Sequence, residues 1–352
     1  MGLFRFFWSL LPSRRTVLLA VLAMAVVGAG ALGLLITLLA TETRACDEAG
    51  VSAPAAPGAD LTARLLALQK DGAFDPALVD ALLGPERARL KEIEVLVVPG
   101  FLTDLLQPLE DIGISDYLEA QVEGLQPLVR KVTLVDLETE GSTADNATTI
   151  AAAVAAANGP LCILSHSKGG LDSLEFLLSS NPAVAGKVVC WVAIQAPFAG
   201  SPVADFVDDW SVLRWPSEQL LALFGGSAQA LQDQKTDTRS CYLAKNDAEL
   251  EALGKRTGVL TLAGAIDGEA DWTEHLTMVL PTLLWMRANG IRNDGLVPTE
   301  SSKLPHLPFA VLSPLDHTGA VAMGTTSLSY EQRVLLTQAL LALALENAGK
   351  TQ

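Results

Sequence analysis

Residues 161–178 read Leu-Cys-Ile-Leu-Ser-His-Ser-Lys-Gly-Gly-Leu-Asp-Ser-Leu-Glu-Phe-Leu-Leu. Leu161 to Leu164 is the apolar run of a buried strand, and Leu171, Leu174, Leu177 and Leu178 fall on one face of a following helix. Between strand and helix lies Ser167, with Ser165 two positions before it and Gly169 two positions after. This pattern predicts a nucleophile elbow, a sharp strand-to-helix turn that holds a serine in a strained backbone conformation and tolerates only small residues two positions to either side. The usual pattern is Gly-x-Ser-x-Gly, and Ser165 departs from it by the smallest polar step. Ser165 is the poorer nucleophile, because Ile163 would then occupy the first small position.

The elements around the elbow alternate. Strands are expected at Glu94–Val98, Val132–Val135, Lys187–Ile194, Val259–Ala263 and Phe309–Leu312, and helices at Leu61–Glu92, Asp145–Ala157, about Leu276–Met286 and Tyr330–Asn347. Such alternation implies a mostly parallel sheet with helices on both faces, its site at the carboxyl ends of the strands.

Upstream, Thr16–Ala40 carries no charge and is long enough to cross a hydrocarbon core of roughly 30 Å at about 1.5 Å per residue. It is read as a transmembrane helix rather than a cleaved signal, since Thr43-Arg44-Ala45 makes a poor cleavage site. Arg5, Arg14 and Arg15 precede it, so residues 1–15 are expected in the cytoplasm and the globular part on the periplasmic or extracellular side. Residues 41–60, rich in Ala, Pro and Gly, read as a linker, and residues 61–352 as one α/β domain. The net charge of −16, with no cluster of Lys and Arg, argues against a nucleic-acid partner. Of four cysteines, Cys162 and Cys190 lie in strand runs and read as inert buried thiols, while Cys46 and Cys241 are the pair available to an oxidising compartment.

A serine hydroxyl needs an adjacent base, itself oriented by a carboxylate. His166 adjoins the serine but points away from it, His275 lies in a helical stretch, and His306 sits between prolines. His317 follows the last strand and is the expected base. With this elbow the chain order is serine, acid, histidine, which admits three carboxylates: Asp294 in the turn Asn293-Asp294-Gly295, the first candidate, then Asp267 and Asp316. The oxyanion donors are expected to be the amide of Lys168, first in the post-elbow helix, and that of Phe101, in the loop after the first sheet strand. The Lys168 ammonium is expected at the surface. No Cys-x-x-Cys, His-Glu-x-x-His or glycine-rich phosphate loop is present, so neither metal nor cofactor is called for. Asn146-Ala147-Thr148 matches a glycosylation acceptor.

Together these residues resemble the α/β-hydrolase superfamily, and within it the bacterial lipase and esterase group. The elbow is similar to that group's Gly-His-Ser-x-Gly-Gly, residues 196–205 to its Pro-His-x-Gly-(Thr/Ser)-x-x-Ala-Asp segment, and Asn293–Val297 to its acid turn. Phe198 stands where the group has histidine, and Asp316 precedes His317 where those lipases carry a calcium-binding Asp after it, so no calcium site is carried over. The resemblance implies an α/β-hydrolase fold with a helical cap at about 201–256, and a serine hydrolase acting on carboxylic esters. The apolar character of the cap segment favours a hydrophobic ester or lipid. An acyltransferase with the same three residues, or a binding module that has kept the fold, are the alternatives.

Overall fold

Among the described residues, six strands form one parallel sheet: β1 (Glu94–Val98), β2 (Lys131–Leu134), β3 (Leu161–His166), β4 (Val188–Ile194), β5 (Gly258–Gly264) and β6 (Phe309–Leu312), in the order β2-β1-β3-β4-β5-β6. The computed structural model describes residues 55–100, 116–138, 141–209, 228–267, 280–322 and 328–350. The expected transmembrane helix, His275, Phe101 and Cys46 lie outside them. Among the described residues no helix is long and apolar enough to cross a membrane.

Period-two alternation along the strands sorts the core into two layers. Val95 and Val97 of β1, Leu164 of β3, Val192 and Ile194 of β4, and Leu260 and Leu262 of β5 face helices α1 (Glu119–Leu125) and the 21-residue α5 (Tyr330–Lys350). Leu96 and Val98, Ile163, Trp191 and Ala193, and Val259 face the other way. There they meet α2 (Thr143–Ala156), α3 (Lys168–Ser179) and α4 (Asp247–Arg256). Strands buried on both faces read as near-continuous apolar runs.

Several expectations change. Leu61–Glu92 is not one helix: Asp71 and Gly72 take φ of 52° and 80° and turn the chain through a small hairpin, Gln69–Lys70 against Ala73–Phe74, before a helix at Pro76–Leu83. An Asp-Gly pair at positive φ is a hairpin signal that outweighs helical periodicity on either side. The stretch expected to be linker is docked from residue 55 onward: Phe309 N donates to Ala59 O, Leu61 N donates to Phe309 O, and Pro57 bridges Pro305. Backbone groups at the edge of β6 are thereby paired rather than open to solvent. Cys162 and Cys190 are not separate thiols. They sit opposite each other in β3 and β4, with Cα atoms 4.6 Å apart, and are joined by a disulfide. In the stretch expected as cap, α4 buries Leu250 and Leu253 in the same layer as Leu171 and Trp191, so it serves as the crossover between β4 and β5. Residues 210–227 lie outside the described ones.

Long α5 lies close against the start of β5. A Cβ at Gly258 would meet the Ala344 carbonyl oxygen and come within 2.8 Å of the Ala348 amide nitrogen, both backbone atoms that cannot swing aside. Gly258→Ala is expected to destabilise the protein by about 1–3 kcal/mol, as overpacked cores do. Thermal unfolding checks this, and an unchanged midpoint would contradict the close packing of α5.

Candidate active site

The chain crosses from β1 leftward to β2 and then back to β3 and onward to the right, so the sheet's direction of winding reverses between β1 and β3. The carboxyl ends flanking such a reversal form a crevice that backbone crossovers leave open. Gly100 lies just beyond the end of β1, and Ser167 just beyond the end of β3.

Ser167 has φ 51° and ψ −129°, a conformation that costs a non-glycine residue about 1–3 kcal/mol. Packing imposes it. A Cβ at Gly169 would stand 2.7 Å from Val98 O, and one at Gly170 would strike the Ala196 Cβ. At Gly100 a Cβ would lie 2.7 Å from His166 O and 2.8 Å from Ser167 Cβ. Helix α3 can therefore start directly under the serine only because these positions lack side chains. Ser165, the departure from the usual glycine, fits because its hydroxyl is satisfied: Trp191 Nε1 donates to Ser165 Oγ at 2.9 Å.

Ser167, His317 and Asp294, drawn from three separate stretches, form one hydrogen-bonded chain. Ser167 Oγ lies 2.9 Å from His317 Nε2, and His317 Nδ1 lies 2.9 Å from Asp294 Oδ2. All three side chains are buried, Ser167 the least so at 6 % exposure. The Asp294 carboxylate accepts from Gln195 Nε2 at 2.8 Å on Oδ2, and from the amides of Leu296 and Val297 at 3.0 and 2.8 Å on Oδ1. Since a carboxylate only accepts, His317 Nδ1 carries the proton and Nε2 faces the serine hydroxyl as acceptor. The His317 amide also donates to Asp294 O at 2.9 Å, which fixes His317 to the turn of Asp294 through main chain as well. Residues 196–205 brace that turn: Ser201 Oγ donates to Leu296 O at 2.6 Å, and the Ala199 amide donates to Ser301 O at 3.2 Å.

The other acid candidates are engaged elsewhere. Asp267, 48 % exposed, pairs with Arg292, which holds its carboxyl below the ordinary range. Asp316 accepts from the Thr318 amide at 3.0 Å.

Lys168 overturns its expectation. Its side chain is buried at 1 % exposure, not turned to the surface, and its ammonium lies 3.0 and 3.1 Å from the two oxygens of Asp172, one helical turn on. The reason is that α3 presents this face to the sheet-side core rather than to water, and Asp172 supplies the compensating charge. Asn146 Nδ2 donates to the same carboxylate at 2.9 Å, so the asparagine of the glycosylation triplet is a buried structural residue. The Lys168 amide, in the first turn of α3, has no intrahelical partner by the geometry of a helix start.

Sequence reasoning missed three residues. Gln195, at φ 51° just after β4, donates to Asp294 and also to Asp316 O at 2.8 Å. His166 Nε2 lies 2.9 Å from His317 O, and His166 Nδ1 lies 3.0 Å from Tyr117 Oη, which accepts from the Gly100 amide at 2.8 Å. His166 does turn away from Ser167, but toward the main chain of His317. Nothing local to these residues signals such contacts, which span 17 to 151 positions of chain. Among the described residues, no group of three or more His, Cys, Asp or Glu is placed to hold a metal ion.

No protein-family model matches the sequence, and no curated protein does. Solved structures do. A metagenomic carboxyl esterase superposes with a TM-score of 0.57 at 22% identity, covering 72% of this chain and 76% of that one. The chain has the α/β-hydrolase fold. The propeptide form of the Bacillus licheniformis lipase BlEst2 is a further neighbour of this hydrolase-fold chain, with a TM-score of 0.50 at 20% identity over 65% of this chain and 46% of that one.

Burial pushes the Asp172 carboxyl up to about 6, with Lys168 and Asn146 pulling against it. A carboxyl raised in the folded state binds a proton more readily there than in the unfolded chain. Its contribution is therefore favourable at low pH and is lost as pH rises from about 4 through about 6. Lys168→Met removes the compensating charge, and breaking a buried pair in this way costs about 3–5 kcal/mol. The loss is expected in full at pH 8 and reduced at pH 5, where Asp172 takes up a proton. Denaturant unfolding at both pH values checks it; equal losses would show that Asp172 is not the charge left uncompensated.

Proposed function

We propose that this chain is a membrane-anchored serine hydrolase that cleaves carboxylic esters with apolar acyl chains through an acyl-enzyme on Ser167. The observation that carries the reading is the continuous chain from Ser167 Oγ through His317 to Asp294, each step 2.9 Å. In the forward half-reaction the Ser167 oxygen attacks the acyl carbon while His317 Nε2 takes its proton. The tetrahedral intermediate collapses as the carbon–oxygen bond to the alcohol breaks, and His317 returns the proton to the leaving oxygen. Water repeats the sequence on the acyl-serine, which restores Ser167 and releases the acid. Asp294, held by the donors of Gln195, Leu296 and Val297, stabilises the imidazolium without itself taking the proton. The oxyanion is assigned to the Lys168 amide and the Phe101 amide, the latter outside the described residues.

An extracytoplasmic placement is supported by the Arg5, Arg14 and Arg15 bias before the apolar run 16–40, and by the disulfide between Cys162 and Cys190, a bond kept in oxidising compartments. Preference for apolar acyl chains rests on the composition of residues 201–224.

Wild-type protein is expected to react with a fluorophosphonate probe and Ser167→Ala is not; an unlabelled wild type, or labelling that survives the substitution, would overturn the nucleophile. Asp294→Asn is expected to lower kcat by about 10³- to 10⁴-fold, the range for loss of the orienting carboxylate, while Asp267→Asn stays near wild type. A reversed order would transfer the acid role to Asp267. The anchor has its own check: the full-length chain should remain with membranes through alkaline extraction, and release into the supernatant would exclude it.

A further inference from the structure

His166 is a buried histidine with no place in the mechanism above, and its two ring nitrogens touch two different parts of the site. We infer that His166 is a positioning residue, which holds the main chain of the base His317 and, through Tyr117, the amide of Gly100 at the root of the loop that leads to Phe101. Its kinetic consequence rests on the ester-hydrolase reading; its geometry does not.

The direction of each bond follows from chemistry. The His317 carbonyl can only accept, so His166 Nε2 carries a proton and donates to it at 2.9 Å. In the neutral ring Nδ1 is then an acceptor, and Tyr117 Oη–H donates to it at 3.0 Å. The Tyr117 oxygen in turn accepts from the Gly100 N–H at 2.8 Å. A doubly protonated ring would break this order, because Tyr117 would face two donors, Nδ1–H and Gly100 N–H. The surroundings keep the ring neutral: burial, reinforced by the neighbouring His317, drives His166 down to about 3.

The contacts are tight enough to transmit position. A Cβ at Gly100 would lie 3.3 Å from His166 Nδ1, so no side chain fits between Gly100 and the imidazole. The ring centroids of His166 and His317 are 5.1 Å apart, and those of His166 and Tyr117 are 5.6 Å apart in an edge-on arrangement. The His317 main chain is thus gripped twice, its N–H by Asp294 O and its C=O by His166. Asp294 orients the imidazole of the base, whereas His166 sets where its backbone stands relative to the elbow one residue away.

Three variants of the full-length chain test this. Tyr117→Phe keeps the ring and removes the bridge to Gly100. His166→Phe removes both arms, and His166→Gln restores an amide N–H near the position of Nε2. Misplacement of catalytic groups by about 1 Å costs on the order of 100-fold, so His166→Phe is expected to lower kcat by about that factor with KM little changed. Tyr117→Phe should lower kcat by about 10-fold, and His166→Gln should recover about 10-fold relative to His166→Phe. Values of kcat within about 3-fold of wild type in both His166→Phe and Tyr117→Phe, or losses that follow the unfolding midpoint or appear only in KM, would overturn the inference. Should His166→Phe fail to fold, Tyr117→Phe carries the kinetic test. Imidazole ¹⁵N NMR of the wild type judges the geometry without any activity. His166 is expected as the neutral Nε2–H tautomer from pH 5 to pH 8, and a resonance that titrates near the ordinary histidine value, or the opposite tautomer, would overturn it. A wild type that fails to label with fluorophosphonate would refute the hydrolase reading and leave the tautomer of His166 still decided by NMR.

Discussion

The backbone of Ser167 at φ 51° and ψ −129° is the constraint to which the neighbouring structure is fitted. A residue held there gains nothing locally, so the surroundings must over-determine it. They do so through the sheet. The Ser167 amide donates to Ile194 O at 2.9 Å, and Ser165 is in register with Val98 on one side and Ala193 on the other. With β3 clamped in the middle of six strands, the chain beyond it has only one direction to take, between the end of β1 and the start of the next strand's loop. Gly100, Gly169 and Gly170 are the positions where neighbouring atoms leave no room for a side chain at that crossing. A proposed nucleophile is thereby presented on a rigid element rather than on a mobile loop, which is what preorganised catalysis requires.

Burial around the elbow creates a second demand, that every buried charge be answered. Lys168 and Asp172 answer each other at 3.0 Å, with Asn146 as a third partner. Asp294 is met by His317, Gln195 and two main-chain amides. The two carboxylates are treated differently for a physical reason. Asp172 faces a full positive charge, which neutralises it and leaves no field to act elsewhere. Asp294 is held only by dipoles, so in the proposed mechanism its negative charge remains available to an imidazolium on His317. A lysine beside Asp294 would satisfy burial equally well and would cancel that effect.

Much of this is legible in the sequence because it is local. The strand ends, the elbow, the acid turn and the loop of His317 each declare themselves within about ten residues, through apolar runs and small-residue spacing. The strands expected at Glu94–Val98 and Phe309–Leu312 match to the residue, and the other sheet-forming stretches match to within one or two. What is not legible depends on contacts across the chain. Lys168 reads as a surface charge because its partnership with Asp172 and the burial of that helix face are tertiary facts. Cys162 and Cys190 read as inert because only the register of β3 against β4 sets them opposite. Gln195, His166 and Tyr117 carry no motif, since a buried polar residue is specified by what surrounds it. The Asp71-Gly72 hairpin differs in kind: its turn signal is local, but helical periodicity on either side masks it.

Two of the departures from the lipase-like pattern, Ser165 for glycine and Phe198 for histidine, lie far apart in the chain yet meet on one side chain. Trp191, fully buried in β4, donates its indole N–H to Ser165 Oγ at 2.9 Å and packs against Phe198 at a centroid distance of 5.7 Å and an interplanar angle of 82°. An indole N–H enclosed in a core needs an acceptor, and a glycine at position 165 has none to offer from its side chain. A neutral aromatic ring at position 198 presents no polar atom that must itself be satisfied, and it packs edge-on against the indole. Ser165, Trp191 and Phe198 are therefore one packing solution rather than two independent deviations. The first glycine of the elbow becomes dispensable in this chain because the room it would have left is filled by a hydroxyl that the neighbouring strand requires.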